Sequence, residues 1–314
     1  MRVVPYATIA PRRHKGGRKE RAMTMLNLPG AQLGCHPIAW SGAPFTQILN
    51  EVAQTGYQGT EGGGPYREDP VAYHQELQRR GLQMATVYAG GPFYDPAQSG
   101  EAVDRALGMA RFVRDMGGDV LCVATGGSVE RRASPGFYPQ GHRPDGLDGS
   151  GWRTFADAMK RLGEGCHELG VTAAFHNHVG TYVETRDELD RLMSLVEPAL
   201  LALAPDTGHL FYGGTDPVEV YRDYAPRIRY MHFKDADAAA IERARREKMN
   251  QGQCMAIGGF CELGRGAIDL EACLRHLEGV QYQGWIMVEQ DRSLIGPLQS
   301  AQISRAWLRD HLGR

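Results

Sequence analysis

Two histidines separated by one residue, His176 and His178, close the apolar run Val171-Thr-Ala-Ala-Phe175 and precede Gly180. If that run is a strand, its period of two puts both imidazoles on one face and Asn177 on the other. Imidazoles buried at a strand end need partners, and a metal ion or a polar substrate would supply them. Four other apolar runs end in the same manner: Gly59-Thr60-Glu61, Leu201 to Asp206-Thr-Gly-His209, Ile228 to His232-Phe-Lys234-Asp235, and Trp285 to Glu289-Gln-Asp291. A lone carboxylate after a strand is ordinarily a helix N-cap, and a lone histidine an ordinary hydrogen-bonded core residue. Five such endings crowding one rim argue for a site instead. Their mixture of carboxylates and imidazoles suits one divalent ion, Mn²⁺ or Co²⁺ first, with Zn²⁺, Mg²⁺ and Fe²⁺ within the same chemistry. The open positions of such an ion would polarise a carbonyl or hydroxyl. Asp206 and His209, three apart, would face the cavity across the turn that leaves their strand. His232 and Lys234 share a strand face, so Lys234 would hold a cation near substrate oxygens and steady an enediolate. The competing reading makes Lys234 a rim lysine in solvent or paired with Asp235.

Elements able to position these groups alternate along the chain. Candidate strands span 32–35, 59–61, 84–88, 120–124, 172–177, 201–205, 228–233 and 285–289. Helix-period segments span 44–55, 70–80, 100–116, 152–169, 186–196, 217–224, 269–277 and 296–312. Eight strand–helix pairs are the count of a (β/α)8 TIM barrel, with 25–314 as its single catalytic domain. A doubly wound sheet would carry a Gly-rich turn after its first strand, and Cys35-His-Pro-Ile-Ala-Trp is not one. Asp69-Pro70 and Asp216-Pro217 place a cap before a first-turn proline, and Gly81 and Gly170 end helices that lead into strands. Two long connections, 126–151 and 235–266, follow the fourth and seventh strands and so hang over the C-terminal mouth; the second carries a charged helical piece at 239–249.

Composition excludes several other classes. A net charge of −2 argues against nucleic acid as a partner, and no apolar run is long enough to span a membrane. Six cysteines without CxxC spacing read as reduced thiols of a cytoplasmic protein. Residues 1–24 carry Arg12, Arg13, Lys15, Arg18, Lys19 and Arg21 without an apolar core, which predicts a flexible basic tail, with Met23 or Met25 as a candidate start.

The phrases Gly56-Tyr-Gln-Gly-Thr-Glu61, His176-Asn-His-Val-Gly-Thr, Asp206-Thr-Gly-His209, Arg227-Ile-Arg-Tyr-Met-His-Phe-Lys-Asp235 and Gly284-Trp-Ile-Met-Val-Glu289 occur in this order. Together they resemble the xylose-isomerase-like barrel superfamily of sugar isomerases and epimerases, over residues 30–312. Gly59-Thr-Glu61, His176 to Thr185 and Glu289-Gln-Asp291 narrow the resemblance to inosose dehydratases (2-keto-myo-inositol dehydratases), enzymes of inositol and carbohydrate catabolism. The resemblance implies one divalent ion with Asp206, His232 and Glu289 as ligands. His176 stands where epimerases commonly carry a fifth-strand glutamate, so the fourth ligand is open among His176, His178 and Glu61. It also implies that His209 contacts substrate oxygens and that Lys234 matches a family lysine. His36 and Trp40 are candidate sugar contacts, with Trp40 equally a packing residue. Glu262 and Arg265 stand in a last loop that departs from the family's Pro-Gly-x-Gly and would mark a different substrate.

With the fifth-strand carboxylate missing, the paired-glutamate proton swap of an epimerase is incomplete. The expected reaction is therefore β-elimination of water from a keto-polyol or keto-sugar, with His178 or Glu61 as base and His209 as helper. The alternatives are isomerisation or epimerisation of a ketose, and a barrel that binds sugar without catalysis. A DNA-repair endonuclease of the same superfamily would need a trinuclear site and a basic groove, which the charge disfavours. By analogy with the family, a homodimer or homotetramer is expected.

Overall fold

The computed structural model describes residues 25–139 and 143–314; the basic stretch 1–24 lies outside the described residues. Barrel strands β1 (Ala31–Cys35), β2 (Gly59–Thr60), β3 (Gln83–Met84), β4 (Tyr88–Gly91), β5 (Val120–Thr125), β6 (Thr172–Phe175), β7 (Ala202–Leu203) and β8 (Tyr230–Phe233) are followed by a hairpin. The hairpin strands are β9 (Asp235–Ala236) and β10 (Phe260–Cys261), and β11 (Gly284–Val288) is the last barrel strand. All barrel pairings are parallel, in the orders β3-β2-β1-β11-β8 and β4-β5-β6-β7. Parallel strands covered by helices are buried on both faces, which is why they read as short apolar runs.

Two seams close the ring. The expected third strand is broken into β3, paired with β2, and β4, paired with β5. Between them Thr86 replaces ladder bonds with its hydroxyl, donating to Val120 O (2.7 Å) and accepting from Cys122 N (3.0 Å). Across the other seam β7 and β8 are joined by isolated bridges, Leu203 to Ile228 and Asp206 to His232. That second bridge sets two site residues side by side. The lumen is filled by Ala85, Val120, Cys122, Ala174, Ala204, Trp285 and Met287 among others. Gly34 and Gly59 leave room there, since a Cβ at either would collide with Met287 or Trp285.

The helices expected from periodicity form the outer layer: α1 (Phe45–Gln54), α2 (Pro70–Gln78), α3 (Ser99–Asp115), α5 (Gly149–Glu168), α6 (Arg186–Leu195), α8 (Pro217–Tyr224), α11 (Leu270–Gly279) and α12 (Pro297–Leu312). Asp69 and Asp216 cap α2 and α8 through Ala72 N and Val218 N, each at 2.9 Å. Four shorter helices lie in the connections at the mouth: α4 (Val129–Ala133), α7 (Thr207–Tyr212), α9 (Ala238–Arg246) and α10 (Gln251–Ala256). The charged piece expected at 239–249 is α9, and α10 follows it beyond the expected segment, both carried between the strands of the β9–β10 hairpin. All six cysteines are unpaired thiols, and no described helix is long and apolar enough to cross a membrane.

Candidate metal centre at the barrel mouth

His232 is the hub of the site. Its Nε2 lies 2.7 Å from Glu61 Oε2, and that oxygen also accepts from Tyr230 Oη at 2.7 Å. Its Nδ1 faces the opposite way, 2.7 Å from Glu289 Oε2 and 3.7 Å from Asp206 Oδ2. Burial would lower the pKa of this imidazole, but Glu289 and Glu61 outweigh burial and hold it up at about 10. Glu61 is correspondingly pulled below the ordinary carboxylate range despite its burial, by His232 and then His36. Glu61 thus orients the ring from behind, in the carboxylate–histidine arrangement that fixes which nitrogen can meet a metal.

The Asp206-Thr-Gly-His209 phrase folds as a cap and a half-turn, each residue with a separate task. Asp206 Oδ1 caps α7 through His209 N (2.8 Å), which leaves Oδ2 to the cavity. Thr207 Oγ1 clamps the Lys234 backbone, donating to its carbonyl (2.6 Å) and accepting from its N–H (2.8 Å). A Cβ on Gly208 would sit 2.8 Å from Lys234 Cβ, so only glycine lets the lysine stem pass. His209 then enters the cavity. Asn177, on the far face from its neighbouring histidines, accepts from Asp206 N at 2.9 Å and ties the two strand ends together.

Lys234 is buried at 1% exposure, neither in solvent nor paired with Asp235. Its Nζ lies 2.9 Å from each of Asp206 Oδ2, Glu289 Oε2 and Asp291 Oδ1, and 3.3 Å from His209 Nε2. Burial disfavours its charge, yet these carboxylates raise its pKa above the usual lysine range. Asp235 instead accepts from Gly264 N (3.0 Å), Gly266 N (2.8 Å) and Ile268 N (3.2 Å), anchoring the last loop. The phrase His232-Phe-Lys-Asp235 therefore supplies, in turn, the hub, a core residue, the internal cation and a loop anchor.

His176 and His178 both reach the cavity, their ring centres 5.9 Å apart. The His176 ring lies 4.6 Å from that of His232, and its Nδ1 is buried without a partner. His178 lies on His209 with ring centres 3.7 Å apart. Burial lowers the pKa of all three cavity histidines, 176, 178 and 209, so each is neutral near pH 7. His36 stands at the rim, its Nδ1 accepting from Ile38 N (3.1 Å) and its Nε2 3.6 Å from Glu61 Oε1.

The remaining expected contacts fall elsewhere. Trp40 is buried and donates to Glu51 Oε2 (2.5 Å), so it packs on α1. Glu262 accepts from Ser300 Oγ (2.6 Å) against α12, and Arg265 is more than half exposed beside it. Residues the sequence reading missed are Tyr230, Phe260 and Tyr88, and it gave Asn177 and Asp291 no task of their own. Tyr88 meets His176 edge-on at 5.7 Å and is 37% exposed to the mouth, and Phe260 lies 5.1 Å below the Lys234 ammonium.

Whether these donors fit a cation is answered by their unmet polarity. Nine buried side-chain polar atoms among the described residues lack an aligned hydrogen bond, and seven belong to Glu61, His176, Asn177, His209, His232, Glu289 and Asp291. Of these, His232 Nδ1 and Glu289 Oε2 face each other at 2.7 Å and Asp291 Oδ1 meets the Lys234 ammonium at 2.9 Å, which leaves Glu61 Oε1, His176 Nδ1, Asn177 Nδ2 and His209 Nδ1 unmet. His176, Asp206 and His232 each turn a ligand atom to a common point, all within 4.8 Å of one another, and His36, Glu61 and His232 do the same. The first trio matches a divalent ion, with Glu289 beside it. In the second, two of the three residues, Glu61 and His232, are already hydrogen-bonded to each other at 2.7 Å, whereas in the first His232 Nδ1 meets Glu289, itself a further carboxylate for the ion.

A second buried charge cluster lies nearby in the connection after β5. Arg143 binds Glu184 Oε1 (2.9 Å), Asp145 Oδ2 (2.8 Å) and Ser134 O (2.9 Å). Arg131, fully buried, pairs with Glu188, whose other oxygen accepts from Glu184 N (2.9 Å) and Thr185 N (3.1 Å). Glu184 and Thr185, at the end of the His176 to Thr185 phrase, are thus loop anchors.

A closed eight-stranded parallel barrel with candidate metal-ligating side chains at its C-terminal strand ends is a TIM barrel with its site at the usual mouth. The chain belongs to the xylose isomerase-like TIM barrel family, whose profile matches residues 49–311. It is 35% identical over 289 residues to the inosose dehydratase of Geobacillus kaustophilus, covering 88% of this chain and 93% of that one. It is 31% identical to the inosose dehydratase of Clostridium beijerinckii, covering 92% of this chain and all (100%) of that protein. Among solved structures, the D-allulose 3-epimerase of Methylomonas sp. superposes with a TM-score of 0.67 at 18% identity, over 92% of this chain and 100% of that one. The 3-keto-D-glucoside 4-epimerase of E. coli superposes at 0.66 and 16% identity, over 89% of this chain and 99% of that one. At these identities the two epimerases share the fold.

Proposed function

We propose that this enzyme is a divalent-metal-dependent dehydratase of a cyclic keto-polyol, an inosose or a close analogue. The observation that carries the reading is the His178–His209 pair, whose tautomers are set by their neighbours. His178 Nδ1 lies 2.7 Å from the Val179 carbonyl, so Nδ1 carries the proton and Nε2 the lone pair. His209 Nε2 lies 3.3 Å from the Lys234 ammonium, which only donates; Nε2 therefore accepts and Nδ1 carries the proton. One close, tilted pair of rings thus offers a proton acceptor and a hydrogen-bond donor side by side, as elimination across adjacent carbons requires.

His176, Asp206, His232 and Glu289 would hold the ion, which when bound would polarise the substrate ketone and acidify the neighbouring C–H. His178 Nε2 removes that proton. His178 then passes this same proton to the β-hydroxyl, which leaves as water, while His209 Nδ1–H hydrogen-bonds the leaving oxygen and keeps its own proton. One C–H and one C–O bond break and a C=C bond forms. Tyr88 stands edge-on to His176, and His36 edge-on to His232. The relatives named inosose dehydratase, 35% and 31% identical over most of the chain, support the same reading.

An epimerase would return the proton to the opposite face and needs a second free acceptor across the cavity. Glu61, the other candidate base, is committed to His232 and Tyr230. The relatives named inosose dehydratase disfavour a barrel that merely binds sugar. Incubating the Mn²⁺-loaded enzyme with scyllo-inosose tests the proposal: a product lighter by one water with a new conjugated absorbance supports it. A product of unchanged mass would replace dehydration by epimerisation.

A further inference from the structure

Three of the four carboxylates in the mouth converge on one ammonium. Lys234 Nζ is 2.9 Å from Asp206, from Glu289 and from Asp291. Two of these, Asp206 and Glu289, are the oxygens assigned above to the divalent ion, and the inference rests on that assignment. An ammonium and a divalent ion cannot both sit on the same two oxygens without strong like-charge repulsion in so buried a place. We propose that Lys234 is an internal counter-cation that holds Asp206 and Glu289 together when no ion is bound, competes with the ion for them, and retreats to Asp291 when the ion binds.

The surroundings permit that retreat and little else. Thr207 Oγ1 clamps the lysine backbone from both sides (2.6 and 2.8 Å), and the stem runs past Gly208, where a Cβ would stand 3.1 Å from Lys234 Cδ. The stem is therefore fixed and only the tip is free. The Phe260 ring lies 5.1 Å from Nζ and offers the ammonium a favourable face along its path. Asp291 is the natural terminus: its Oδ2 is held by Gln251 Nε2 at 3.2 Å, while its Oδ1 is buried with no aligned hydrogen bond. A lysine whose role were to hold substrate oxygens would have no need of three carboxylate partners.

The test is calorimetric titration with Mn²⁺ alone of the full-length wild type, Lys234→Met, Asp291→Asn and the double variant, with melting temperatures recorded metal-free and Mn²⁺-saturated. Lys234→Met is expected to bind Mn²⁺ at least tenfold more tightly, to melt lower when metal-free and to recover when loaded. Asp291→Asn is expected to weaken binding several-fold in the wild-type background and to have no effect in the Lys234→Met background, because its influence acts through the lysine. Equal or weaker Mn²⁺ affinity in folded Lys234→Met overturns the inference, as does an equal effect of Asp291→Asn in both backgrounds. If Lys234→Met does not fold, an unchanged affinity in Asp291→Asn alone overturns it. Binding to Lys234→Met only would support it, whereas no binding to any of the four proteins would remove the ion site itself and the inference with it.

Discussion

Two buried charge clusters stand within one barrel mouth, and they are built to opposite ends. Around Arg131 and Arg143, charges meet partners and backbone groups: Glu184 takes Arg143, Gly180 N and Gly136 N, and Glu188 takes Arg131 and two further N–H groups. Around His232, four carboxylates (Glu61, Asp206, Glu289 and Asp291) crowd Lys234 and His232, and Glu61 Oε1, His176 Nδ1, Asn177 Nδ2 and His209 Nδ1 are left without a partner. Buried polarity is costly unless satisfied, so the first cluster, where Arg131 Nε alone lacks a hydrogen bond, is a structural clasp and the second is unfinished until something binds. Polarity of this kind is kept where a ligand completes it.

The contrast predicts opposite phenotypes. His178→Gln, in the unfinished cluster, should lower kcat by about 10²–10⁴-fold while the melting temperature and Mn²⁺ affinity hold, which steady-state kinetics with calorimetry would show. Glu184→Gln, in the clasp, should do the reverse. It leaves Arg143 buried against half a partner and should cost about 3–5 kcal/mol of unfolding free energy in urea titration, with Mn²⁺ affinity retained at low temperature. Mn²⁺ at a hundredfold excess over its Kd should stabilise the wild type by about 2.7 kcal/mol, and Asp206→Asn should abolish that gain without lowering metal-free stability. Equal destabilisation by Asp206→Asn and Glu184→Gln would erase the distinction between the clusters. The smallest effect belongs to Tyr230→Phe, which removes one hydrogen bond behind Glu61 and should weaken Mn²⁺ binding about tenfold by titration.

Most of the fold was legible because parallel barrel strands are apolar runs and their helices keep a clear period with Asp-Pro caps and glycine stops. The broken third strand was not, since at Thr86 a side-chain hydroxyl takes over bonds that the backbone would make. In the site, residues of unmistakable chemistry at strand ends converge as expected: His36, Glu61, His176, His178, Asp206, His209, His232, Lys234 and Glu289. Tyr230 escaped notice because a tyrosine inside an apolar strand looks like core, and its partner Glu61 is 169 residues away in sequence. Trp40, Glu262 and Arg265 were read from loops, where no period fixes direction; the first two turned toward helices and the third toward solvent. The clasp was invisible for a related reason, since Arg131 and Arg143 look like loop charges until Glu184 and Glu188 are folded against them.

The central claim is that the unpaired polarity around His232 is a divalent-cation site. It is tested most directly by equilibrium dialysis of the metal-stripped protein against Mn²⁺, with elemental analysis of the wild type, an Asp206→Asn/His232→Gln double variant and Glu184→Gln. The prediction is one ion per chain in the wild type and in Glu184→Gln, and none in the double variant. A wild type that retains no ion, or a double variant that retains as much as the wild type, would contradict the account.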